Sequence, residues 1–103
     1  MRKVVVTGFG VISSSGNDPE TMWKNISSGK SGIRYMDDSA FDESPVRIAG
    51  KVDGFSAETY CCAKDAKKYD KYIQFAVAAA LQAVEMSGLE SADWDPESAG
   101  VYV

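Results

Sequence analysis

Between Tyr72 and Met86 the chain reads YIQFAVAAALQAVEM, a run broken by polar side chains only at Gln74, Gln82 and Glu85. The run predicts a helix. It is rich in good helix formers, it lacks Gly and Pro, and its only β-branched residues are Ile73, Val77 and Val84. At about 100° per residue the three polar positions share an arc of about 80°, and the rest of the surface is apolar. A helix this apolar is expected to be buried on most sides. Alanines at 76, 78, 79, 80 and 83 also let other backbones come close. A chain of 103 residues can hardly supply a core that large, so the pattern predicts a piece of a larger protein.

The same reading applied from the start of the chain gives an α/β order. Val4 to Thr7 is a short β-branched run without alternation, as expected of a strand covered on both faces. Gly8-Phe9-Gly10 follows, where a glycine permits a positive φ or a close backbone contact. A strand followed by G-x-G also opens a dinucleotide-binding fingerprint. Here the third glycine position is Ser13, and Ser13 to Gly16 intervene before any helix, so a tight turn beneath a packed element is the expected reading. A helix then begins at Asn17 or Asp18 as cap, with Pro19 and Glu20 in its first turn, and ends at Ser27-Ser28-Gly29. Lys30 to Pro45 reads as loop. Val46 to Val52 reads as a second strand weakened or bulged at Gly50, and Phe55 to Tyr60 as a helical turn. Ser87-Gly88 stops the apolar helix, with Gly88 expected in the left-handed region. Ala99 to Val103 reads as a third strand, inside which the sequence stops.

Composition narrows the possibilities. The apolar and charged fractions, 45% and 25%, are those of a globular protein rather than a disordered one. A net charge of −4 argues against nucleic acid binding over the whole surface, and no run approaches membrane-spanning length. Adjacent Cys61 and Cys62 cannot staple a loop and show no metal-ligand spacing, which leaves reduced thiols in a cytosolic protein as the expectation. No histidine is present, so neither cysteine has a His partner with which to act as a nucleophile. Neither a catalytic residue nor a metal ligand nor a cofactor-binding residue is assigned.

One charged feature stands out. In Lys64-Asp-Ala-Lys67-Lys68-Tyr-Asp-Lys71 the lysines lie at i, i+3, i+4 and i+7, one face if the segment is helical. Such a stripe is either a solvated face or a docking patch for an anionic partner, such as a phosphate chain, an anionic membrane or an acidic protein.

Several segments carry a resemblance. The opening VVVTGFGVISSSGND, the run from Trp23 to Ile33, Phe41-Asp42, Ile48-Ala49-Gly50 and above all KKYDKYIQFAVAAALQAVEMSGL resemble the N-terminal part of the β-ketoacyl-acyl carrier protein synthases. The D-x-x-x-Q-F-A-x-x-A-A segment from Asp70 to Ala80 is closer to the type II elongating synthases than to type I; polyketide ketosynthases are close competitors. The resemblance implies a thiolase-like fold, of which residues 1–103 would form the β-α-β-α-β start of the first half. It implies a homodimeric, cytoplasmic acyltransferase that condenses an acyl group with malonyl-acyl carrier protein, with loss of CO₂, in fatty-acid elongation. Substrates would travel on the phosphopantetheine of the carrier, with no other cofactor. The family's nucleophilic cysteine and histidines lie beyond Val103, and Cys61 and Cys62 do not match them, so this chain alone is expected to be inactive. Lys64, Lys67 and Lys68 stand where the family's basic residues meet acyl carrier protein; Lys71 has no such counterpart. A non-catalytic partner subunit of the same family and a small module binding an anionic partner remain as alternatives.

Overall fold

The computed structural model describes all 103 residues as an α/β chain with three α-helices and one small sheet. Helix α1 spans Pro19–Ser27. Asp18 caps it, accepting from the Thr21 amide at 2.8 Å and from the Thr21 hydroxyl at 2.8 Å. These bonds hold the Asp18 carboxyl below the usual carboxylate range, because they favour its charged form. Strand β1, Ile33–Tyr35, pairs antiparallel with β2, Ile48–Gly50, in the register Ile33 to Gly50 and Tyr35 to Ile48. Helix α2 is a single turn, Ala63–Ala66, and α3 spans Lys71–Ser87. Gly88 ends α3 at φ 67°, the left-handed conformation that glycine adopts without strain. Short 3₁₀ turns lie at Ser39–Phe41, Ala57–Thr59, Leu89–Ser91 and Pro96–Ser98.

Several expectations change. Val4 to Thr7 and Ala99 to Val103 form no strand, and residues 1–12 make no backbone–backbone hydrogen bond. A strand needs a neighbour to receive its ladder, and this chain offers none to either segment. Val4, Val5 and Val6 stand 96, 72 and 84% exposed, so these β-branched side chains meet no cover. The second strand is shorter than Val46 to Val52, and Gly50 pairs regularly rather than forming a bulge. Its partner β1 lies within the stretch read as loop.

Gly8 and Gly10 serve close approach rather than a turn. A Cβ on Gly8 would collide with the Ala83 carbonyl, and one on Gly10 with the Ala79 carbonyl. The N-terminal segment thus lies directly on α3, and the tight turn comes later, where Ser13 and Gly16 exchange bonds of 2.9 and 3.3 Å.

The chain is extended, with a radius of gyration of 17.2 Å. A compact domain of this length has about 13 Å. Only Met36 and Ala78 are buried. Helix α3 is therefore not enclosed by its own chain, and it sits in an unexpected orientation. Ala78, fully buried, lies at the centre of the polar arc, flanked by the half-buried Gln74 and Gln82. The opposite side, with Tyr72, Ala76 and Ala80, is exposed.

Candidate functional site

The basic segment follows a small aromatic cluster. Phe55 stacks on Tyr60 at 6.0 Å and meets Phe75 of α3 edge-on at 4.9 Å, which fixes the chain just ahead of α2 against the first turns of α3. Lys64 lies within α2. Helical bonding continues past it, from the Lys67 amide to Ala63 and from the Tyr69 amide to Asp65, so Lys64, Lys67 and Lys68 keep the spacing of one helical face. All three are exposed, and neither ion pair in the chain, Arg34–Asp53 or Arg47–Asp42, involves them. The one acid among them, Asp65, is half-buried and accepts from the Cys62 thiol at 3.1 Å. Lys67 and Lys68 also follow the C-terminal end of α2, where cations suit the helix dipole.

Lys71 does not join this face. Asp70 is extended, with φ −62° and ψ 157°, and a new helix starts after it. The i+7 relation predicted for Lys71 assumed one continuous helix, and the break at Asp70 removes it. Lys71 instead borders a cavity of about 210 Å³ with Phe55, Gln74 and Phe75.

The cysteines sit beside this patch. Both are free, and the Cys61 thiol donates to the Ala57 carbonyl at 3.2 Å. Burial pushes the Cys61 pKa up, and Cys62, Asp65 and Glu58 add to the effect. A nucleophilic cysteine needs the opposite shift, toward the thiolate.

The largest cavity, about 610 Å³, lies elsewhere on α3 and is bordered by Asp18, Tyr60, Gln82, Glu85 and Glu90. Its three carboxylates disfavour an anionic guest. No group of His, Cys, Asp and Glu side chains is placed to hold a metal.

Two residues that sequence reasoning left aside organise this region. Gln82 accepts from the Val11 amide at 2.9 Å and donates to the Asn17 carbonyl at 2.6 Å and the Tyr60 hydroxyl at 3.1 Å. Gln74 donates to the Ala66 carbonyl at 2.7 Å and the Tyr69 carbonyl at 3.0 Å. Their signal was their position, since a polar side chain on an otherwise apolar helix needs a partner wherever it is covered.

Comparison with known proteins adds an independent line. The family model described as "Beta-ketoacyl synthase, N-terminal domain" matches residues 1–103. A 3-oxoacyl-[acyl-carrier-protein] synthase 2 of Vibrio cholerae is 42% identical over 102 residues, covering 99% of this chain and 25% of that protein. The chloroplastic 3-oxoacyl-[acyl-carrier-protein] synthase II of Arabidopsis thaliana is 36% identical over 105 residues, covering 99% of this chain and 19% of the relative. A Staphylococcus aureus synthase 2 is 32% identical over 102 residues, with coverage of 99% and 25%. The chain thus spans about a quarter of the length of the bacterial relatives it matches.

Proposed function

The chain belongs to the β-ketoacyl synthase family, matching its N-terminal domain over residues 1–103, and on that premise we propose that it works as the N-terminal segment of a 3-oxoacyl-[acyl-carrier-protein] synthase. The whole enzyme would be a cytoplasmic, homodimeric acyltransferase of thiolase-like fold. It would condense an enzyme-bound acyl group with malonyl-acyl carrier protein, with loss of CO₂, in fatty-acid elongation. The substrates would arrive on the phosphopantetheine of the carrier. Residues 1–103 would supply core scaffold and a docking face, and no catalytic group. The names of the similar synthases from Vibrio cholerae and Arabidopsis thaliana support the carrier as partner.

The observation that carries the docking role is the set Lys64, Lys67 and Lys68: exposed, unpaired, and on one face of one turn in a chain of net charge −4. A concentrated positive face in a negative protein steers an acidic partner to one place. The bare apolar side of α3 supports the scaffold role, since further protein is what such a surface requires.

The test is Lys67→Glu/Lys68→Glu in the complete synthase that carries this segment. KM for acyl carrier protein is expected to rise about tenfold or more at low salt, with little change in kcat, and the difference should shrink as salt screens the contact. An unchanged KM at low salt would remove the docking role.

A further inference from the structure

The basic turn is poorly able to hold its own shape. Helix α2 has four residues, too few to offset the cost of nucleating a helix. The break at Asp70 also separates it from α3, so Lys64, Lys67 and Lys68 gain nothing from that helix through backbone continuity. What spans the break is Gln74. Its amide nitrogen donates both hydrogens, one to the Ala66 carbonyl at 2.7 Å and one to the Tyr69 carbonyl at 3.0 Å. In the break neither carbonyl receives a backbone N–H. These two carbonyls bracket Lys67 and Lys68. A single half-buried side chain, on the second turn of a long helix, thus fixes both ends of the piece of backbone that carries two of the three docking lysines.

We propose that Gln74 is a positioning residue for carrier docking, holding the Lys64–Lys68 turn in its binding shape before the partner arrives; this rests on the docking role of those lysines. A turn already ordered loses little conformational freedom on binding, whereas a loose one must be ordered at the moment of contact. Gln74 touches no partner itself. Its contribution passes through the lysines and is confined to recognition of the carrier, so a thioester of free pantetheine, which has no acidic surface, is indifferent to it.

The experiment is a four-way cycle in the complete synthase: the parent, Gln74→Met, Lys67→Gln/Lys68→Gln, and the combination. Met keeps the length of the side chain and removes both donors. KM is read for the acyl carrier protein thioester and for the pantetheine thioester. Gln74→Met should raise KM for the carrier thioester about three- to tenfold, the range expected for hydrogen bonds lost from an ordered turn. It should leave KM for the pantetheine thioester in place and add nothing in the Lys67→Gln/Lys68→Gln background. Hydrogen exchange gives a second readout, in which the amides of Ala66 to Tyr69 should exchange faster while those of α3 keep their protection. Equal effects in both lysine backgrounds, an equal rise with the pantetheine thioester, or faster exchange along the whole of α3 would each overturn the proposal and make Gln74 a residue of general stability. If the lysine variant raises KM and Gln74→Met does not, docking stands and the role of Gln74 falls. If the lysine variant itself leaves KM unchanged, both fall.

Discussion

On one side of α3, Gln74, Ala78 and Gln82 are met by their own chain; on the other, Tyr72, Ala76 and Ala80 are exposed. An ordinary surface helix does the reverse, with its apolar stripe inside and its polar side in water. Here two of the three polar positions, Gln74 and Gln82, hold the chain's own loops, while Glu85 and part of the apolar side are exposed. The two sides therefore work at different levels. The glutamine side organises residues 1–103 locally: Gln82 ties Val11, Asn17 and Tyr60 together, and Gln74 ties the basic turn to the helix. On the other side the chain covers only part: Ala79 and Ala83 meet the N-terminal segment at Gly10 and Gly8, while Tyr72, Ala76 and Ala80 stay open. Val4 to Val6 and Val101 to Val103 are likewise bare.

The sharpest way to break that comparison is a charge on the bare side. In the complete synthase, Ala80→Glu should cost more than about 3 kcal/mol or abolish soluble expression, because it buries an unpaired carboxylate in a helix-packed interior. In the 103-residue chain alone the same change should alter stability by less than about 0.5 kcal/mol and improve solubility. Denaturant unfolding and soluble yield check both, and a synthase that tolerates Ala80→Glu would mean that this side faces water. On the glutamine side, Gln82→Leu should cost about 2 kcal/mol, since the partly covered Val11 amide and Asn17 carbonyl both lose their partner. Away from α3, Asp18→Ala should cost about 1 kcal/mol through loss of the α1 cap.

Acid acts on the same cap. The Thr21 hydrogen bonds lower the Asp18 carboxyl, and the Arg34 hydrogen bond lowers that of Asp53. The stability these carboxylates contribute is fully present above the usual carboxylate range and is lost as pH falls through their lowered values. Unfolding followed by circular dichroism between pH 5 and about pH 2 should show that loss in the parent and a smaller one in Asp18→Ala.

What the sequence made legible follows the same division. Helix α3, α1 with its Asp18 cap, and the Gly88 stop are local statements, written in helix formers, a cap and a left-handed glycine, and they stand as read. Val4 to Thr7 and Ala99 to Val103 carry the composition of strands, but pairing is a property of neighbours and cannot be met by one segment alone. Strand β1 escaped notice because its three residues are too few to establish an alternation. At the candidate site, spacing marked a stripe of four lysines, the resemblance singled out Lys64, Lys67 and Lys68, and the structure keeps those three exposed at helical spacing. The exclusion of Lys71 was not legible, although Asp70, a residue type favoured as a helix cap, was the available signal for a new start. Gln74 and Gln82 were visible only as a narrow polar arc, whose inward orientation depends on the loops folded against it.

The proposed function requires α3 to be the buried helix of a larger synthase. Hydrogen exchange at the α3 amides, Lys71 to Ser87, measured in the 103-residue chain and in the complete synthase, tests it most directly. Enclosure predicts protection in the synthase greater by about three orders of magnitude or more, with the isolated chain exchanging nearly as a free helix does. Equal, strong protection in the isolated chain would contradict that requirement and make residues 1–103 a self-standing fold.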